Sequence, residues 1–399
     1  MEAYLIDWLS LLGRWLHILT GIAWIGASFY FVWLDNHLVP PTDPELQKKG
    51  VGGELWAVHG GGFYNAQKYL VAPEKLPPSL HWFKWEAYWT WMSGFFLLCL
   101  IYYVGASSYL VDKDVADIAS GTAILIGLGT LIAGWIIYDR LCEAKLSGTT
   151  LAAIMTVLLI GAAYGLCHVF SGRGAYLHFG ALLGTIMVAN VFFVIIPGQR
   201  ELVIAKQQGR VPDPRHGLRG KQRSVHNTYF TLPVIFVMFS NHYAMTYGHR
   251  YNWLILVAIS LAGAAIRTWF VARHKGKASP LPAIVGVLLL AGVAVAIAPA
   301  PASNAPAAAA TQSNPVEFLR VQIIIQERCV RCHAATPTQP GINAAPKGLM
   351  FETAEQVLAH AQQIAQQTAS KVMPLGNLTG MTDEERAVIA AWFAHGAQK

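Results

Sequence analysis

The sequence predicts an all-α protein: a polytopic bundle of eight transmembrane helices followed by a small soluble helical domain. Three observations predict it. Hydrophobic residues make up 54% of the 399 and charged residues only 13%, about half the ~25% usual in soluble domains, and mean hydropathy is +0.40. Eight apolar stretches approach the ~20 residues that a helix needs to cross a bilayer. Beyond residue 315 the composition turns soluble for the rest of the chain. An ordinary cytosolic enzyme, a disordered chain and a disulfide scaffold are excluded.

The spans fall near 5–34, 85–104, 118–138, 149–170, 175–197, 228–247, 251–272 and 280–298. The first is long and interrupted by Arg14 and His17, which predicts a tilted helix. Glu2 and Asp7 precede its apolar run, unlike the basic flank of a cleaved signal peptide. The loops after spans one, three, five and seven hold seventeen Lys and Arg, whereas the other three hold only Lys113, Arg173 and Arg250. That asymmetry predicts the rich loops on the cytoplasmic side and both termini outside. The net charge of +7 belongs wholly to the first 315 residues, because the remainder carries seven bases and seven acids. Charge clustered between apolar spans is topological; it implies membrane lipid as a partner and excludes nucleic acid. Residues 299–315, PAPASNAPAAAATQSNP, read as a semi-rigid tether between a membrane domain, 1–298, and a soluble domain, 316–399.

The soluble domain carries the strongest motif. Cys329-Val330-Arg331-Cys332-His333 is C-x-x-C-H, the attachment signature of c-type haem. Two thiols one turn apart add to the two vinyl groups of one porphyrin, and the next histidine lies under the iron. The flanks agree. Apolar Phe318, Val321, Ile324 and Ile325 mark a helix before the motif, and Thr382 with Glu385 caps another running through Ile389, Trp392 and Phe393. Two terminal helices around such a motif look like a small class I cytochrome c domain. That resemblance implies a distal methionine, for which Met373, followed by Pro374, is the best match. Met350 and Met381 are alternatives whose ordinary role is packing. Cys99, Cys142 and Cys167 stand singly and read as small apolar residues.

Polar residues inside spans are costly, so their positions are informative. His17 lies within span one, while His168, His178 and His242 fall near the predicted outer level. Two of them on different helices are candidate ligands for a b-type haem; hydrogen bonding between helices is the alternative. Toward the cytoplasm, WAVHGGGFYNAQKY places His59 beside a glycine run, HWFKWEAYWTWMSG adds Lys84 and Glu86, and His226 precedes span six. The glycine run lacks the GK[ST] ending of a phosphate loop. Interfacial anchoring explains many of these aromatics, and a pocket for a planar anion is the functional alternative.

These segments, with the opening WLHILTGIAWIGASFYFVWLDN and the CVRCH and VMP of the tail, resemble the membrane-integrated urate oxidases (urate hydroxylases) of bacterial purine breakdown. The resemblance covers essentially the whole chain. It implies oxidation of urate to 5-hydroxyisourate, with electrons leaving through haem c to a respiratory acceptor, a soluble cytochrome c or a terminal oxidase, at a bacterial inner membrane. The substrate comes from the resemblance alone. On this reading His59 or His226, with Glu86 behind them, is the base, and Arg14, Lys84 and Arg267 are candidates to pair the urate anion. Another membrane dehydrogenase or a quinol:cytochrome c oxidoreductase of the same architecture, and a haem-based transporter or redox sensor, are the competing classes. No internal repeat supports a transporter.

Overall fold

A computed structural model describes residues 2–274, 279–298, 315–339, 342 and 344–399. The protein is mostly helical, and every stretch expected to span contains a helix. α1 is Glu2–His37, α2 is Trp85–Leu97 continued by a π-helical turn at Leu98–Tyr103, α3 is Ser120–Glu143 and α4 is Gly148–Cys167. α5 runs over Gly172–Gln207, α6 over Pro214–Ser240, α7 over Asn252–His274 and α8 over Leu281–Ala296. Five of them, α1, α3, α4, α5 and α7, are long and apolar enough to cross a membrane. α8 is apolar but shorter, and α6 begins with a strongly polar half.

Two departures from expectation have local causes. Residues 51–69 form a hairpin, β1 (Val51–His59) paired antiparallel with β2 (Gly62–Tyr69), so the protein is not purely α. His59 faces Gly62 across the loop Gly60-Gly61, and both glycines have positive φ, +57° and +82°. A two-residue loop with left-handed backbone at both positions matches the twist of the strands it joins. The glycine run is therefore a hairpin turn. The second departure is α6, which starts at Pro214 rather than near 228. Asp213 accepts from the Arg215 amide at 2.9 Å and Pro214 occupies the first turn, so a cap and an N1 proline extend the helix into the basic loop. Arg223 and His226 thus become bundle residues.

α5 is the central helix. In its most apolar window 61% of residues are buried, against 6% in α1, whose large apolar side chains face outward. Phe170, Tyr176, Phe179, Leu183 and Leu256 anchor the core around it. α5 carries its own π-helical turn, Asn190–Ile195, immediately before Pro197. Proline lacks the amide a helix needs and crowds the carbonyl four residues back, which widens the turn that precedes it.

The C-terminal unit has a separate core. α9 (Pro315–Arg328) and α12 (Asp383–Ala394) pack through Phe318 and Trp392, with ring centres 5.9 Å apart, as expected for terminal helices. α10 (Ala354–Ala359) and α11 (Ala361–Ala369) complete it. Thr382 and Glu385 form the predicted capping box, and the Arg328 guanidinium grips Glu385 with three bonds of 2.9–3.1 Å. The rest of the tether, 299–314, lies outside the described residues.

This unit sits on the end of the bundle where the loops poor in Lys and Arg lie. Asn377 Nδ2 donates to Asp114 Oδ2 at 2.8 Å, and Val372 joins the apolar cluster that contains Val111 and Tyr247. Two glycines permit this closeness. A Cβ on Gly376, whose φ is +54°, would meet the Val111 carbonyl at 2.9 Å, and one on Gly248 would meet the Ser370 carbonyl at 2.5 Å. The seam therefore runs along residues 370–377, which include Met373.

Candidate functional site

The C-x-x-C-H segment follows α9 as a tight turn in which the His333 amide donates to the Cys329 carbonyl at 2.9 Å. The His333 Nδ1–H donates to the Leu349 carbonyl at 2.9 Å, and its ring lies 4.7 Å from that of Phe351. That bond fixes the tautomer and leaves Nε2 as the free nitrogen, the arrangement of a metal-ligating histidine held by a carbonyl. Burial pushes the Cys329 thiol up to about 12, with neighbouring Cys332 adding to it, and burial also raises Cys332. Met381 is 2% exposed within the core, whereas Met373 lies half-buried in the seam loop. Buried Arg386 shapes that loop, donating to the Met373 carbonyl at 2.7 Å and to that of Thr368 at 2.8 Å. The donor set fits a c-type haem: two thiols, one oriented imidazole and a thioether outside the core.

The membrane histidines are dispersed. His17 Nδ1 bonds the Thr90 carbonyl at 3.0 Å and Ser93 Oγ at 3.1 Å, tying α1 to α2. His178 is fully buried, with Nδ1 on the Gly174 carbonyl and Nε2 3.2 Å from the Tyr103 hydroxyl. His168 and His242 are exposed. No hydrogen bond or ring contact joins any two of the four among the described residues.

The candidates expected on the cytoplasmic side separate too. His59 is exposed beside the hairpin turn, Lys84 Nζ lies over the Trp85 ring at 5.3 Å, Glu86 is half-buried in the first turn of α2, and Arg14 is exposed. His226 is the one that sits in a polar network. Its Nδ1 is 2.8 Å from the Tyr138 hydroxyl, which also accepts from Asn190 Nδ2 at 3.0 Å. Asn190 donates to Asn227 Oδ1 at 2.8 Å, and Asn227 in turn donates to the Met187 carbonyl. Arg223, 1% exposed, pairs with Asp139 at 2.7 Å and reaches Asn190 Oδ1 at 3.4 Å, with its guanidinium carbon 5.0 Å from the Tyr138 ring centre. Cys142 Sγ completes the edge, 3.8 Å from His226 Nδ1.

Three helices build this network: α3 supplies Tyr138 and Asp139, α5 supplies Asn190 at the start of its π-helical turn, and α6 supplies Arg223, His226 and Asn227. π-helical turns recur at functional sites because they rotate side chains away from regular helical positions. From sequence only His226 was singled out. Asn190, polar in an apolar span, was the overlooked signal, and Arg223 was counted as loop charge. Along α5 the network lies twelve residues from His178, about 18 Å at the rise of a helix, on the side away from the C-terminal unit.

No curated protein and no solved structure matches the chain. The profile of the urate oxidase N-terminal family matches residues 3–298, which spans all eight bundle helices and every residue of the Tyr138–His226 network. With that match over well more than half of its length, the chain belongs to the urate oxidase N-terminal family.

Proposed function

We propose that this chain is a membrane-bound urate oxidase that hydroxylates urate with water and discharges the electrons through its own C-terminal unit. The overall step is urate plus water giving 5-hydroxyisourate, two protons and two electrons, with the water oxygen forming the new bond at C5. In this reading all eight helices cross a bacterial inner membrane. The basic loops face the cytoplasm, and both termini lie in the periplasm.

The observation that carries the reading is the pair of buried Tyr138 and half-buried His226 inside the family domain. The pair admits two tautomers: the Tyr138 hydroxyl donates to Nδ1, or Nδ1–H donates to the phenol oxygen. In the second, Nε2 is unprotonated and can take a proton from urate or from the attacking water. Asn190 holds the phenol oxygen in either case. Arg223, its charge balanced by Asp139, braces Asn190 and the Tyr138 ring on the far side of the pair. His59, Glu86 and Lys84 lie apart from this pair and have no role in the step proposed here.

Cys329, Cys332, His333 and Met373 are the residues that would hold a c-type haem, which would supply one-electron acceptance at a raised potential. Arg386 positions the Met373 loop, and Asn377 with Asp114 holds that loop against the bundle. A soluble cytochrome c or a terminal oxidase takes the electrons onward. A b-type haem would draw its ligands from His17, His168 and His242, because His178 has both ring nitrogens bonded.

Tyr138→Phe keeps the ring and removes the hydroxyl. Loss of one hydrogen bond to the base, worth about 1 kcal/mol, is expected to lower kcat for urate roughly five- to tenfold with haem content unchanged, and to move the acid limb of the kcat–pH profile. Steady-state assays across pH measure both. Wild-type kcat and an unmoved profile would remove the pair from the reaction.

A further inference from the structure

Among the described residues, α7 carries buried polar atoms without a partner: Ser260 Oγ, and both Nε and one terminal nitrogen of Arg267. Arg267 is 7% exposed, and its guanidinium carbon lies 3.8 Å from the centre of the Phe29 ring on α1. A charged group within a spanning helix is costly and marks function, and a buried one without a counter-ion is costlier still. The other deeply buried arginines have partners: Arg223 has an unpartnered Nε but is ion-paired with Asp139, and Arg386 donates to two carbonyls and Asn377.

The helices around Arg267 offer no counter-ion. α6, α7 and α8 contain no Asp or Glu, and on α1 the acids are Glu2 and Asp7 near the opposite end and Asp35, which is bonded to Lys68 at 2.6 Å. The anion must come from outside the chain. Nε and a terminal nitrogen form the side edge of a guanidinium, which binds two adjacent coplanar acceptors at once. Arg267 lies seven residues before the inner end of α7, about 10 Å deep at the helical rise. Tyr229, within electrostatic reach of it, is three residues from His226 on α6.

We propose that the side edge of Arg267 is the anion-recognition element for the purine substrate. Urate at neutral pH is a planar anion with carbonyl oxygens next to ring nitrogens, which offers the paired acceptors this edge requires. The flat Phe29 face backs the guanidinium, and a rotation of that ring, on the least buried helix, opens the edge to the ligand. The proposal rests on the urate reading and names the residue that selects the anion.

The test is equilibrium binding of radiolabelled urate to the full-length protein, kept anaerobic and reduced with dithionite so that no turnover occurs. R267Q, which removes the charge, is expected to weaken binding about ten- to a hundredfold, the range for charge-assisted bonds. R267K keeps the charge without the fork and is expected to weaken it about tenfold and to raise KM with kcat little changed. Size-exclusion profiles and haem spectra like those of wild type establish that the variants are folded, and R267K carries the test if R267Q is not. Wild-type affinity in folded R267Q or R267K overturns the proposal while leaving the urate reading intact. Copurifying anionic lipid that disappears in R267K, with urate binding unchanged, likewise overturns it in favour of a phosphate headgroup. Absence of urate binding by the wild type instead overturns the underlying reading.

Discussion

A C329S/C332S double variant is expected to carry no covalent haem and to lose urate turnover completely, while urate binding to the bundle persists. The reasoning is structural. Both thiols sit in the turn that closes α9, and His333 is oriented by the Leu349 carbonyl with Nε2 free. Without the two thiols no thioether bond can form, and any porphyrin retained by His333 and Met373 would be non-covalent. Cys329 packs against the apolar core of Phe318, Ile325, Ile389 and Trp392, so an unchanged far-UV circular dichroism spectrum of the variant is what separates loss of the electron exit from collapse of the domain. Haem staining after denaturing electrophoresis reads the covalent attachment, and pyridine haemochrome spectra of the full chain distinguish c-type from b-type haem. Residual turnover near wild type in a haem-free variant would mean that electrons leave by another route.

The second large effect is at His226. H226Q preserves much of the side-chain volume and a hydrogen-bonding group facing Tyr138 but cannot take a proton. General base catalysis contributes about 10²–10⁴-fold, so kcat/KM for urate is expected to fall by that factor while haem content and urate affinity stay close to wild type. The network limits structural side effects, because Asn190 and Asn227 hold each other and Arg223 keeps Asp139 as its partner. Single-turnover reduction rates separate the chemical step from substrate binding. A rate unchanged by the substitution would return the role of base to Glu86 or His59, despite their separation from the buried network.

Much of the helical architecture was legible in the sequence because long apolar stretches read as helices, and each of the eight stretches contains one, five of them long and apolar enough to cross a membrane. The hairpin was missed because its aromatic and glycine residues suggested a pocket; yet the alternation in ELWAVH and the two-residue glycine loop are strand signals. The start of α6 was missed because its first half is basic, and that error hid Arg223 and separated His226 from Tyr138 and Asn190. Partners that meet across three helices leave no local pattern. Asn190 alone gave a sign, as an amide inside an apolar span. The unpaired edge of Arg267 was likewise invisible, since a sequence shows an arginine in a span but not whether an acid reaches it.

On the proposed reading, electrons from urate reach the C-terminal haem without oxygen as oxidant. The decisive experiment mixes oxidised, purified, full-length protein with limiting urate under strict anaerobiosis and follows the haem c absorbance. Two haem c equivalents are expected to be reduced for each urate consumed, with no peroxide formed. A haem that stays oxidised until oxygen is admitted, with peroxide then appearing, would overturn the proposed route.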